Sequence, residues 1–100
     1  MSDTIRITRT ARKKEKPKDK DLAFGTDFTD HMFLVDFQEE KGWYDPRVEP
    51  YGPLPLDPAT AVLHYGQGLF EGLKAFRGTD GTIRLFRPNK HVERLNRTAE

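Results

Sequence analysis

Five prolines fall within thirteen residues, at Pro46, Pro50, Pro53, Pro55 and Pro58. Each fixes φ and removes a backbone donor, so neither a helix interior nor a central strand is expected there. An edge strand or a surface connection is the path that remains, and the flanks must supply the regular structure. Before the prolines, Phe33, Leu34, Val35 and Phe37 make a short β-prone run. Glu39, Glu40, Lys41 and Gly42 mark a turn after it, and Trp43-Tyr44 starts a second extended piece. Asp57-Pro58 has the form of a cap and first turn for a brief helix through Val62.

The stretch that follows, LHYGQGLFEGLKAFRGTDGTIRLFRPNKHVER from Leu63 to Arg94, is dense in glycine and aromatics. Gly66, Gly68 and Gly72 stand within seven residues, and each would cost about 1 kcal/mol relative to alanine in a helix interior. A tight chain path, or something packed against the backbone, is expected instead. Leu73–Arg77 and Thr82–Phe86 flank Gly78-Thr79-Asp80-Gly81 as a hairpin would. Pro88 then opens a helical pattern with apolar positions at Val92, Leu95 and Ala99.

At 100 residues, 35% hydrophobic and 33% charged, the chain holds at most one small domain with a modest core. Its last helical pattern runs into Arg97-Thr98-Ala99-Glu100 without a stop signal, so an N-terminal fragment of a longer protein is expected. The absence of cysteine excludes a disulfide scaffold and a thiolate metal site. No run of eighteen apolar residues is present, and the N-terminus lacks an apolar core of the secretory kind. A cytoplasmic location with no membrane partner follows as the expectation. Residues 1–20 hold eight basic against three acidic residues, while residues 21–100 hold nine against thirteen. The basic segment is expected to be a solvated, disordered extension. It has no aromatic to stack on bases, so nucleic acid is not the expected partner.

His31, His64 and His91 show no i, i+4 pairing, and read as ordinary polar or packing histidines rather than metal ligands. Ser2 is the only serine, which leaves no Ser-His-Asp arrangement. The glycines match neither a Walker loop nor a GxGxxG fingerprint. Arg94 shares the last helical pattern with Arg87, Lys90 and Arg97. From the residues alone it is either part of a solvated basic face or, at the edge of the apolar stripe, a planar fork for a phosphate. Phe24, Tyr65 and Phe70 read in isolation as core aromatics.

The segments LHYGQGLFEGLKAFRG, DG-IRLFRP and H-ERLNRTA, with FGTDFTDHMFLVDF and GWYDPRVEPYGPLPLDPAT upstream, together resemble the branched-chain amino acid aminotransferases. These are pyridoxal-phosphate enzymes of the fold-type-IV group, and the resemblance covers Phe24 to Glu100. It implies an α/β (α+β) small domain of antiparallel strands with helices, incomplete in this chain, with residues 21–100 its first part. It also implies that Arg94 binds the phosphate of pyridoxal 5'-phosphate. Phe24 and Phe70 would line the pocket for the branched side chain, and Tyr65 would reach a pocket across the interface of a homodimer. The glycine-rich segment would form part of the pocket wall and of the subunit contact. The family's catalytic lysine and the glutamate on the pyridine nitrogen would lie beyond Glu100. Lys74 is then structural or solvent-facing, the chain holds no catalytic residue, and alone it is expected to be inactive. The activity implied for the full-length protein is amino transfer from L-leucine, L-isoleucine and L-valine to 2-oxoglutarate, giving branched-chain 2-oxo acids and L-glutamate. The alternatives are a D-amino acid aminotransferase, an aminodeoxychorismate lyase, or a non-enzymatic module whose basic tail binds nucleic acid.

Overall fold

The computed structural model describes residues 4–100, so Ser2 lies outside the described residues. The chain divides into two compact units, one ending at Leu54 and one running from Pro55 to Glu100. Strands in antiparallel and mixed pairings, with two short α-helices, give the α/β class expected.

In the first unit, β1 (Arg6–Ile7), β2 (His31–Gln38) and β3 (Gly42–Pro50) form a sheet in the order β1-β3-β2. β2 and β3 are an antiparallel hairpin. Its turn is closed by Lys41 N–H on the Gln38 carbonyl at 3.0 Å, and Gly42 takes the left-handed φ of 72° that a side chain would resist. Beside the turn, Phe37 and Trp43 meet edge to face with centroids 5.0 Å apart.

The proline argument fails at β3, which is the central strand although it contains Pro46 and Pro50. The reason lies in the register. Leu34 pairs with Arg47 and Asp36 with Tyr44, so Val35 alone faces both Asp45 and Pro46. Pro46 thus sits in a bulge, where no ladder donor is required, and Asp45 beside it has φ 52°. Pro50 is the last residue of the strand, and β1 pairs only with Arg47 and Val48 between the two prolines. Arg47 Nη1 reaches over the bulge to Asp36 at 2.9 Å and to the Asp45 carbonyl at 3.0 Å. Its Nε lies 3.2 Å from Glu49. Burial disfavours the Arg47 charge, but Asp36, then Asp45 and Glu49, outweigh it and hold the guanidinium above its ordinary pKa.

The basic segment, expected to be a free extension, is instead seated on this sheet along much of its length. Arg6 and Ile7 pair in parallel with β3, and Arg6 reaches Asp45 at 3.2 Å. Thr10 N–H donates to His31 Nε2 at 3.0 Å, and Lys14 N–H to Asp30 at 2.9 Å. The Lys14 ammonium stands 4.9 Å from the Tyr51 ring centroid. A single 3-10 turn, Asp19–Asp21, follows. What composition alone missed is that the acidic and aromatic side chains of β3 and its flanks give these cations intramolecular partners.

The second unit opens with a turn at Asp57, whose carboxylate accepts from Ala59 N–H at 2.8 Å and whose carbonyl accepts from Thr60 N–H at 2.9 Å. That turn occupies the positions where a helix was expected to begin, and α1 runs later, from Ala61 to Tyr65. Gly66 ends it in the left-handed conformation, φ 61°. After an irregular loop come the antiparallel strands β4 (Ala75–Arg77) and β5 (Ile83–Leu85). Across their turn, Arg84 and Thr82 N–H hold the Asp80 carboxylate. α2 (Pro88–Ala99) completes the unit with Pro88 in its first turn. Among the described residues no large hydrophobic side chain is buried, and both units leave most of their aromatics open.

Candidate functional site

α2 begins where Pro88 presets a helical φ, directly after Arg87 has turned the chain with φ 48°. On it, His91, Arg94, Leu95 and Thr98 follow the i, i+3, i+4, i+7 spacing and so share one face. His91 and Leu95 are half-buried. Toward this face comes Glu71, from the loop after α1. The loop can pass tightly here because Gly68 has no side chain: a Cβ at that position would stand 3.3 Å from Val62 Cγ2. One of the three closely spaced glycines therefore ends a helix and a second permits a close approach.

Glu71 is the centre of the site. Its Oε2 accepts from Arg94 Nε at 2.8 Å, and its Oε1 accepts from Nε at 3.1 Å and from Nη2. His91 Nδ1 lies 3.0 Å from Oε1. The Glu71 side chain is only 13% exposed, against 57% for Arg94. Hydrogen bonding by Arg94, then by His91, lowers the Glu71 pKa from 4.5 to about 2, and Glu71 in turn raises that of Arg94. Because the folded-state pKa is depressed, the stabilising contribution is present in full above about pH 4.5. It is lost as the pH falls toward about 2. In the complete protein, a carboxyl-carbon NMR titration is expected to find Glu71 ionised well below the usual carboxylate range. Glu71 titrating near 4.5 would show that the tie to Arg94 is not formed.

Two open grooves border Arg94. One is lined by the loop from Gly68 to Gly72 together with Arg94 and Thr98. The other is strongly basic, lined by Phe86, Arg87, Lys90, His91, Arg94 and Arg97. Lys90 is paired with Glu93 at 2.9 Å. Among the described residues Arg94 Nη1 has no hydrogen-bond partner. The arrangement can therefore receive an anion at Arg94. Among the described residues no His, Cys, Asp or Glu cluster could hold a metal.

Of the residues singled out in the sequence, Arg94 and Phe70 border the same groove. Phe70 is 90% exposed there, and Tyr65, the last residue of α1, is 87% exposed and outside that lining. Phe24 belongs to the first unit, in a turn beside Gly25, and is fully exposed. The residue that sequence reasoning passed over is Glu71. A lone carboxylate between an aromatic and a glycine, in a loop whose only other charge is Lys74, was the available signal. His91 behaves as a polar packing histidine, as read, though its partner was not foreseen.

No family model matches the chain. It is 56% identical over 95 residues to branched-chain-amino-acid aminotransferase 2 of Bacillus subtilis, covering 95% of this chain and 26% of that protein. With branched-chain-amino-acid transaminase 1 of the same organism it shares 51% identity over 100 residues, which is 28% of the relative. The cytosolic branched-chain-amino-acid aminotransferase of Mus musculus is 52% identical over 93 residues, or 93% of this chain and 24% of the relative. The chain spans about a quarter of the length of these relatives. Over nearly all of its own residues, the chain is similar to the branched-chain-amino-acid aminotransferases.

Proposed function

We propose that the complete protein containing this chain is a pyridoxal-phosphate-dependent transaminase. It moves the amino group of L-leucine, L-isoleucine and L-valine to 2-oxoglutarate. The observation that carries this reading is the identity of about half the residues, over 93 to 100 positions, with relatives named as branched-chain-amino-acid aminotransferases or transaminases. The reading extends to a homodimer in which Tyr65 reaches the partner's pocket. A cytosolic location accords with the mouse relative's name and with the absence, among the described residues, of a helix long and apolar enough to cross a membrane.

The residues present fit the phosphate end of the cofactor. Arg94 has a partner-free Nη1 and stands beside Arg87, Lys90 and Arg97 at the basic groove, which suits a dianion. Bound there, pyridoxal phosphate would supply the electron sink that amino transfer needs. The ring and its reacting atoms need a lysine and an acid, and this reading assigns neither role within the chain. What these residues contribute is retention and orientation of the phosphate; the resemblance assigns Phe70, and separately Phe24, to the surface that meets an aliphatic side chain in the complete enzyme.

Substrate profiling of the complete protein tests the reading. Turnover of L-leucine with 2-oxoglutarate is expected, and turnover of D-alanine in its place would assign the protein to a different transaminase. Phe70→Ala and Phe24→Ala are expected to reduce kcat/KM for the branched substrates by about 1–3 kcal/mol of discrimination, with a smaller effect on glutamate. Equal losses for leucine and glutamate would mean that these rings support the fold and do not select the side chain.

A further inference from the structure

We infer that Glu71 is a positioning residue for the phosphate arginine: it grips the side edge of the Arg94 guanidinium and leaves Nη1, on the end-on edge, free for the cofactor phosphate. The inference rests on the assignment of Arg94 to the phosphate. A guanidinium offers two edges to a planar acceptor, one made by Nε and Nη2 and the other by Nη1 and Nη2. Glu71 occupies the first, with Nε at 2.8 Å and Nη2 on Oε1. On the second, Nη1 has no partner among the described residues, while Nη2 also lies 3.5 Å from His91 Nδ1.

A rival arrangement is that Glu71 is a placeholder which the phosphate displaces. Three observations oppose it. The carboxylate is the recessed member of the pair, at 13% exposure against 57%. Its Oε1 is also held by His91 from the same helix face, at 3.0 Å. And it acts on Arg94 from the loop side, while the basic groove that suits a dianion is lined by Arg94 but not by Glu71. Glu71 therefore braces the arginine from behind, and His91 braces Glu71. The same contact links the loop that carries Phe70 to the helix that carries Arg94. A side chain proposed to meet the substrate and one proposed to meet the cofactor are thereby held in a common frame.

The experiment is a titration of the complete apoprotein with pyridoxal phosphate and, separately, with pyridoxal, which lacks the phosphate. Glu71→Gln is expected to raise Kd for pyridoxal phosphate on the order of tenfold, as loss of a supporting contact behind a ligand-binding side chain does. Kd for pyridoxal is expected to stay unchanged, and in an Arg94→Ala background Glu71→Gln is expected to add nothing. His91→Gln, a milder change that leaves the carboxylate in place, is expected to shift Kd in the same direction by less, and it serves where Glu71→Gln folds poorly. Tighter binding of pyridoxal phosphate by either variant would overturn the inference in favour of the placeholder. Equal weakening for both ligands would overturn it in favour of a general structural role. If Arg94→Ala itself leaves the pyridoxal phosphate Kd unchanged, the phosphate assignment falls, and the positioning role falls with it.

Discussion

Arg94→Ala in the complete protein is expected to lose pyridoxal phosphate on dialysis, and to lose the pyridoxamine form fastest. The amino form has no covalent link to a protein lysine, so non-covalent contacts alone retain it, those to the phosphate among them. Arginine offers a planar pair of charge-assisted bonds, and losing each such bond corresponds to about ten- to a hundredfold in affinity. Arg94→Lys keeps a point charge without the planar edge and is expected to fall between wild type and alanine. The same alanine variant removes the largest influence on Glu71, so that carboxyl is expected to titrate higher than the present value of about 2. Arg87→Ala and Arg97→Ala, which line the same basic groove, are expected to weaken cofactor retention less than Arg94→Ala does. Wild-type cofactor occupancy in Arg94→Ala through repeated turnover would return Arg94 to the solvated basic face.

Residues 1–100 produced alone are expected to show no cooperative melting transition as a soluble monomer. Fixing a backbone costs on the order of 1–2 kcal/mol per residue, and burial of apolar surface is the main term that offsets it. Here that term is limited. Phe24, Tyr65, Phe70 and Phe86 are between 72% and 106% exposed, and no large hydrophobic side chain among the described residues is buried. Hairpins of two strands do not stand alone in water, so β4 and β5 add little. So much uncovered aromatic surface favours association. Calorimetry together with sedimentation decides the matter: a sharp transition from a monodisperse monomer would mean that the ion pairs and the small sheets suffice.

The elements that could be read from the sequence are those governed by local rules. The β2 run, the turn at Gly42, the hairpin around Gly78–Gly81 and the helix opened by Pro88 all follow from residue spacing and turn chemistry, and all are present. Three features were not legible, each for a non-local reason. Pro46 is tolerated in a central strand because the register between β2 and β3 slips at that point, and a register cannot be read from one strand. The basic segment is seated by distant partners, among them Asp30, His31 and Asp45, which lie 16, 21 and 39 residues from the groups they hold. Glu71 finds Arg94 across 23 positions, with a hairpin between them. Within the site, Arg94 was singled out through the resemblance; from its spacing alone a solvated basic face was the favoured reading. Glu71 carried no motif at all. Its importance comes from being shielded, and shielding is a property of the folded chain.

The seating of the first residues against β3 bears on how the protein can be handled. Trimming residues 1–20 would remove β1 from the sheet and leave the ladder groups of Arg47 and Val48 without their strand partner. It would also leave Asp45 and Glu49 without the Arg6 counter-charge. A truncated protein would then carry an open sheet edge, a ready template for another chain. Self-association after truncation would thus report an unpaired strand, and any change in nucleic-acid binding would be confounded by it. Charge-neutral replacements at Lys13, Lys16 and Lys18 leave the β1 pairing in place, and are the cleaner way to ask what the positive charge of this segment is for.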